Sequence, residues 1–475
     1  MALGKRKLLQ QPLFVSTVEL NIRAHPFYEA VNKVLDSHHF DTFTEDLCAK
    51  FYADEGRPSV PPGVYFRCLL LGYFEGIDSE RGIDWRCNDS NSLKLFLGVP
   101  YNKPAPDHST LSRTRRLIDL ETHGEVFRYV LKILANHGLI DGKTVGVDST
   151  TLEANAAMRS IVRRDTGEGY QEFLTKLAKE SGIETPTRED LAKIDKKRKN
   201  KASNADWEHP HEPDAKITKM KDGTTHLAHK AEHAVDMGAN AHGVILAVNV
   251  CDAAVGDPAT LADTLVMTTE NLVALKDDER VADKVSDCFM DETVLDKGYH
   301  SKQTLLDLEE MNVRSYASEP KRARQHWDGQ PDAQAAVYSN RRRVKGNRGK
   351  RLLRSRGEKL ERTFAHCYET GAMRHLYLRK RENIAKRVLI HAAGCNIGIM
   401  MRVKYGLRKP RSHSAAAFAL FSGLFILLLG FVEVIRAILR GASKIPHSSS
   451  IFRRVAGRWN RLLPCNRNSS FATGC

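Results

Sequence analysis

No two of the nine cysteines (Cys48, Cys68, Cys87, Cys251, Cys288, Cys367, Cys395, Cys465 and Cys475) stand at C-x-x-C spacing, so a zinc ribbon or finger has no support. An odd, scattered set of thiols points to reduced cysteines and a cytosolic protein. The opening stretch MALGKRKLLQQPLFVST has basic residues but no sustained apolar core and no small-residue cleavage site, and does not read as a signal peptide. A nucleotide-binding P-loop is also missing. Gly142, Lys143 and Thr144 suggest one, but only three residues separate Gly138 from Gly142 where the motif needs four, and a strand rather than a helix follows. His209 and His211 have no partner at helical spacing that would make a metal site.

Acidic residues are in deficit. Against 58 Asp and Glu stand 73 Lys and Arg, a net charge of +15 in 475 residues, and such a balance suits an anionic partner, most often nucleic acid. At 41% hydrophobic and 28% charged residues, the rest of the composition is that of ordinary globular protein, long enough for two or three cores. One run departs from it. Residues 415–432, AAAFALFSGLFILLLGFV, are uncharged over 18 positions and flanked by Arg408, Lys409, Arg411, Arg436 and Arg440. A lone membrane anchor, a buried helix and a tail altered by frameshift all fit this run. No membrane partner is expected, because nothing else in the chain is built for one.

Three regions follow from the patterning: helical residues 1–135, an α/β region over 136–402, and a basic and apolar tail over 403–475. In the first, Asp107 or Ser109 should cap a helix carrying Arg113, Arg115 and Arg116. A short helix, a turn and that basic helix form a candidate helix-turn-helix, with a solvated basic face as the alternative. In the second, GKTVGVDSTTLEANA contains a short strand ending near Asp148. THLAHKAEHAVD and GVILAVNVCDAAVGD read as paired strands, a helix spans 258–275, and a further strand ends on Asp296. A charged insertion occupies 159–222 and reads as helical pieces joined by a basic loop. The most basic stretch, 321–359, holds Trp327, Arg341, Arg342 and Arg343, and helical periodicity follows it through Glu361 and Arg362.

A carboxylate at the end of a buried strand is unusual in so basic a chain, and here there are two, with a third on a helix. If they converge, oxygen-only ligands of this kind suit Mg2+, which retains waters and accepts phosphate oxygens. Two such ions can serve both the attacking and the leaving oxygen of a phosphoryl displacement. Asp257, in AAVGDPATLAD, competes for the second place, but the following Pro258 marks it as a helix N-cap. Asp252 is a weaker rival.

GVDSTTLEANA, VLDKGYHS and LERTFAH resemble the three acid-bearing motifs of bacterial insertion-sequence transposases of the DDE class, and the similarity runs from about residue 60 to about 402, with HKAEHAVD and RENIAKRVLIHAAGCNIGIMMR included. The resemblance implies a ribonuclease-H-like mixed sheet flanked by helices, with a helical N-terminal DNA-binding domain. It implies Asp148, Asp296 and Glu361 as catalytic and metal-binding residues, and two Mg2+ ions for which Mn2+ can stand in. It further implies action on terminal inverted repeats by cleavage and strand transfer, double-stranded DNA as partner, a homodimer joining two ends, and a bacterial cytoplasmic, nucleoid-associated location. A catalytically inactive DNA-binding relative is the alternative.

The pattern departs in one place. Relatives carry an arginine four positions before the third acid and a lysine seven after it, where this chain has Gly357 and Tyr368; Arg356 or Arg362 would have to serve from a shifted register. Lys297 and His300 are candidate phosphate neighbours. Trp327 is a candidate for stacking on an unpaired base, with a purely structural tryptophan as the alternative.

Overall fold

The computed structural model describes residues 3–6, 23–198, 202–220, 223–321 and 325–410. The apolar run 415–432 lies outside them. Seven helices come first: α1 (Pro26–Ser37), α2 (Phe40–Cys48), α3 (Pro62–Glu75), α4 (Glu80–Asn88), α5 (Asn91–Leu97), α6 (His108–Leu117) and α7 (Leu120–Asn136). Sequence chemistry sets their ends. Asp107 caps α6 by accepting from the backbone N–H groups of Ser109 at 2.9 Å and Thr110 at 3.1 Å, and Asp119 caps α7 through Thr122. Residues 98–107 separate α5 from α6, ten positions where a helix-turn-helix has a turn of three or four, so that expectation fails on loop length. α3 is buried all round, Glu75 alone excepted, which explains why its sequence shows apolar residues without a helical period.

The sheet begins with β1 (Thr144–Glu153), which carries Asp148 at its middle and does not end near it as expected, because pairing with β5 continues through Glu153. The charged insertion follows, with β2 (Val162–Arg163), α8 (Tyr170–Glu180), α9 (Arg188–Lys197), β3 (Trp207–Glu208) and β4 (Lys216–Lys219). It is more ordered than a solvated loop. Leu174, Ala178 and Leu191 make one small core, and Trp207 is buried in another. Beyond it lie β5 (Thr225–Asp236), β6 (Ile245–Asp252), α10 (Asp257–Lys276), β7 (Glu292–Leu295), α11 (Lys302–Glu310) and β8 (Arg314–Ala317). The chain continues through α12 (Pro331–Lys345), α13 (Asn347–Phe364), a single π-helical turn over Ala365–Glu369, and α14 (Arg381–Tyr405).

β5 pairs antiparallel with β1 along one edge, and along its other edge first with β4 and then with β6. β1 pairs in parallel with β7, and β7 in parallel with β8. The six strands therefore form one mixed sheet, β4-β5-β1-β7-β8 with β6 also paired to β5, and helices lie on both faces. β5 is buried along nearly its whole length, as a strand covered on both faces must be. Alternation of side chains sends Lys230 and Glu232 to the α10 face, and Ala231 and His233 to the α13 face.

α14 is long and apolar enough to cross a bilayer, but 89% of its apolar window is buried inside the protein, against α3, α7 and β6. One hydrophobic cluster runs from Phe27 in α1 through Val147 in β1 to Met401 in α14, so the N-terminal helices and the sheet share a core. The insertion is tied to the start of α14 by the buried Glu212, which accepts from the Lys380 backbone N–H at 2.7 Å.

Candidate active site between β1 and the end of β7

Register alone brings two of the expected acids together. Gly146 pairs with Val294 and Val147 with Leu295 in the parallel β1–β7 ladder. The next step in the same register sets Asp148 beside Asp296, one strand spacing apart, and both side chains leave on the α13 face. α13 lies close over that face. A Cβ on Gly146 would come within 2.8 Å of Leu360 Cδ1, so glycine is what permits the helix to cross there. Leu352 packs with Val294 and Tyr316, and Lys359 Nζ donates to the carbonyls of Met237 at 2.9 Å and Gly238 at 2.6 Å.

Between those anchors α13 delivers Arg356. Its Nη1 donates to Asp148 Oδ2 at 2.9 Å and its Nη2 lies 3.3 Å from Asp296 Oδ1, so one guanidinium bridges both carboxylates. The Asp148 side chain is 23% exposed and that of Asp296 43%, which leaves the second open to solvent. Burial pushes the Asp148 carboxyl above its ordinary range, partly offset by the Arg356 charge and by the Ser149 backbone N–H.

Glu361 does not join them. It follows Arg356 by five residues, about 140° around the helix, and it is exposed on the outward side of α13. Among the described residues no three His, Cys, Asp or Glu side chains gather closely enough to hold a metal. The donor set present is two carboxylates already holding one cationic group. That set fits a hard divalent cation of the Mg2+ type, which takes one or two protein carboxylates and completes its shell with water and phosphate oxygens.

The opposite face of the sheet holds Asp257, the rival second acid, together with polar residues that the sequence did not single out. Asp257 is the first residue of α10, with Gly256 as the cap, so the expected N-cap is off by one. Its Oδ1 accepts from Ser149 Oγ at 2.8 Å and lies 3.3 Å from Lys230 Nζ. Its Oδ2 sits where a Cβ on Gly298 would come within 2.8 Å, which explains the glycine after Lys297. Glu232 is fully buried and accepts from Tyr299 at 2.6 Å, from Thr260 at 2.9 Å, and from Thr264. Burial first, and then the Glu232 charge, drives the Tyr299 hydroxyl far above its ordinary range and keeps it a donor. These contacts fix the turn that carries Asp296. Only the Tyr in DKGY hinted at them.

The expected DNA contacts divide. Arg113, Arg116, Lys297 and Arg342 are exposed, and so is Arg362, which pairs with Glu358 on its own helix. Arg115 is turned inward to Glu80 and cannot meet a DNA backbone from there. Arg343 donates to the Ser315 carbonyl at 2.9 Å on the edge of β8, which makes it part of the fold. Arg341 pairs with Glu319 at 2.6 Å. Trp327 has Lys302 Nζ 4.7 Å from its ring centre and packs on the main core, which favours the structural reading over base stacking. His300 is 2% exposed, too buried to neighbour a phosphate. Lys350, Arg351 and Arg354, exposed on the outward side of α13, are basic residues the sequence reading passed over.

No curated protein and no solved structure matches the chain. A family model described as a transposase domain (DUF772) matches residues 17–117, the N-terminal helices, and stops short of Asp148, Asp296 and Glu361. Over that region the chain is similar to a transposase domain.

Proposed function

We propose that the protein is a DDE-class DNA transposase, which cuts at the terminal inverted repeats of its insertion sequence and joins the freed ends to target DNA. The observation that carries this reading is the placement of Asp148, midway along β1, beside Asp296, just past the end of the parallel β7, with one cationic group bridging both in a chain of net charge +15. The strand order β6-β5-β1-β7-β8, antiparallel across the first three and parallel across the last three, supports a ribonuclease-H-like core. The transposase domain over residues 17–117 supports the substrate class.

In this reading Asp148 and Asp296 hold Mg2+, with Mn2+ able to replace it. A bound divalent cation supplies activation of the attacking oxygen and charge stabilisation at phosphorus. The protein supplies alignment: the parallel ladder fixes one carboxylate beside the other, and the Tyr299–Glu232 contact fixes the turn after β7. Exposed Lys297, Lys350, Arg351 and Arg354 hold the phosphate backbone, which contributes affinity but little sequence discrimination. Two copies joining two ends complete the proposal. Glu361 enters as the third acid only through the resemblance of LERTFAH, and its outward placement favours a second reading, a DNA-binding relative that does not cut.

Cleavage of an end-labelled duplex carrying the element's terminal repeat separates the two. Wild type should cut with Mg2+ and not with EDTA. Asp148→Ala and Asp296→Ala should lose about 10³-fold in rate or more while binding the duplex normally. Equal cutting by all three proteins, or none by wild type, removes the catalytic reading. Glu361→Ala reports separately on the third position: a comparable loss means that α13 rearranges in the DNA complex.

A further inference from the structure

Arg356 sits between the two aspartates with its side chain 14% exposed, and its helix has no slack on either side. Leu352 is fixed against Val294 and Tyr316, and Leu360 is fixed against Gly146. The backbone at 356 is therefore held, and only the side chain has freedom to move. Two carboxylates side by side on adjacent strands repel each other unless a positive charge lies between them. One guanidinium supplies a single positive charge, so the cluster keeps a net charge of −1 beside the half-exposed Asp296. A divalent cation matches both charges and needs the same oxygens. Guanidinium and ion cannot share them without repulsion.

We propose that Arg356 is a positioning residue that occupies the cation's place. It holds Asp148 and Asp296 side by side before the divalent ion binds, and is exchanged for the ion when it does. The proposal rests on the metal-binding reading of the two aspartates given above and adds a specific cost to it: each binding event must break the Arg356 contacts. Affinity for the ion is lowered, and in return the carboxylates stay aligned and the site stays soluble and folded without it.

Titration of full-length protein with Mn2+ alone, by calorimetry and by thermal melting, tests the exchange without any DNA or activity. Arg356→Gln should melt lower than wild type in EDTA, because the carboxylates lose their counter-charge. It should bind Mn2+ roughly tenfold more tightly, the size expected for removing a competing charge-assisted contact. Its melting temperature should rise more on Mn2+ addition than that of wild type. Arg356→Lys keeps a charge but loses the fork that reaches both carboxylates, and should fall between the two. Equal or weaker Mn2+ binding by Arg356→Gln overturns the exchange, as does equal binding by Arg356→Lys if the glutamine variant does not fold. Asp148→Ala and Asp296→Ala keep the two failures apart. If they bind Mn2+ as wild type does, the metal reading of the aspartates is itself wrong, and the exchange falls with it.

Discussion

Tyr299 and Glu232 stand 67 positions apart in sequence and 2.6 Å apart in space, and they hold the turn that follows Asp296. Tyr299→Phe removes one donor from a buried carboxylate and should cost about 1–3 kcal/mol of stability, read by urea unfolding. A displaced Asp296 should also slow cleavage, by up to about 100-fold, with DNA binding unchanged. Full activity in a destabilised Tyr299→Phe protein would show that the turn does not depend on this contact. At this scale the sequence was partly legible. Asp148 and Asp296 stood out because each follows a short apolar run, although β1 continues past Asp148 to Glu153. Glu232 did not, since in THLAHKAEHAVD it reads as one polar residue among several. Its partners Thr260, Thr264 and Tyr299 come from two other elements. Glu361 was chosen on its motif, and motif spacing does not report which side of a helix faces the sheet.

At the scale of elements, β8 ends the main sheet path and would present unpaired backbone groups to solvent. α12 covers them. Asn340 Oδ1 accepts from the Ala317 N–H at 2.9 Å, its Nδ2 donates to the Ala317 carbonyl at 2.8 Å, and Arg343 takes the Ser315 carbonyl. An asparagine amide has one donor side and one acceptor side and so copies a neighbouring strand for one residue. Asn340→Ala should lower the urea midpoint by an amount equivalent to about 2 kcal/mol with the m-value unchanged. It should also shift some protein to larger species on size exclusion as the strand edge opens. An unchanged midpoint would mean that the edge is covered in some other way. The strands and helices of the sheet region were readable from period and capping. The role of α12 was not, because Arg343 looked like one of a DNA-binding cluster until the edge strand it contacts was in place.

Over the whole molecule, one core joins the N-terminal helices to the sheet, and several titratable groups are buried in it. Burial lowers His123 and His233 to about 3 and lowers His391 well below its ordinary value, each within hydrogen-bonding reach of Tyr65, Tyr368 or the Cys367 carbonyl. A histidine kept neutral in the fold lets the unfolded chain take up the proton first. Stability is therefore lost as pH falls below about 6.5 and continues to fall toward about 3. Asp236, pushed up to about 6 by burial, has the opposite sign: its folded form holds the proton more tightly, which favours the fold between about 6 and 3.8. Asp148 and Glu232, also raised by burial, act with Asp236, but burial lowers His209, His242 and His366 as well, so the histidines prevail. The melting temperature should be flat from pH 8 to 7 and decline steadily below 6.5, and a rise on acidification would contradict this assignment. Neither burial pattern was visible in sequence, where His123, His233 and His391 carried no signal of their own.

The net charge was the most legible global feature, yet it named a class of partner and not the chemistry. That chemistry depends on whether Asp148 and Asp296 take up a divalent ion. Diffraction from Mn2+-soaked crystals, recorded at the manganese absorption edge, tests this most directly. The account predicts an anomalous peak bonded to carboxylate oxygens of both aspartates. A peak located elsewhere, or none at millimolar Mn2+, would contradict it.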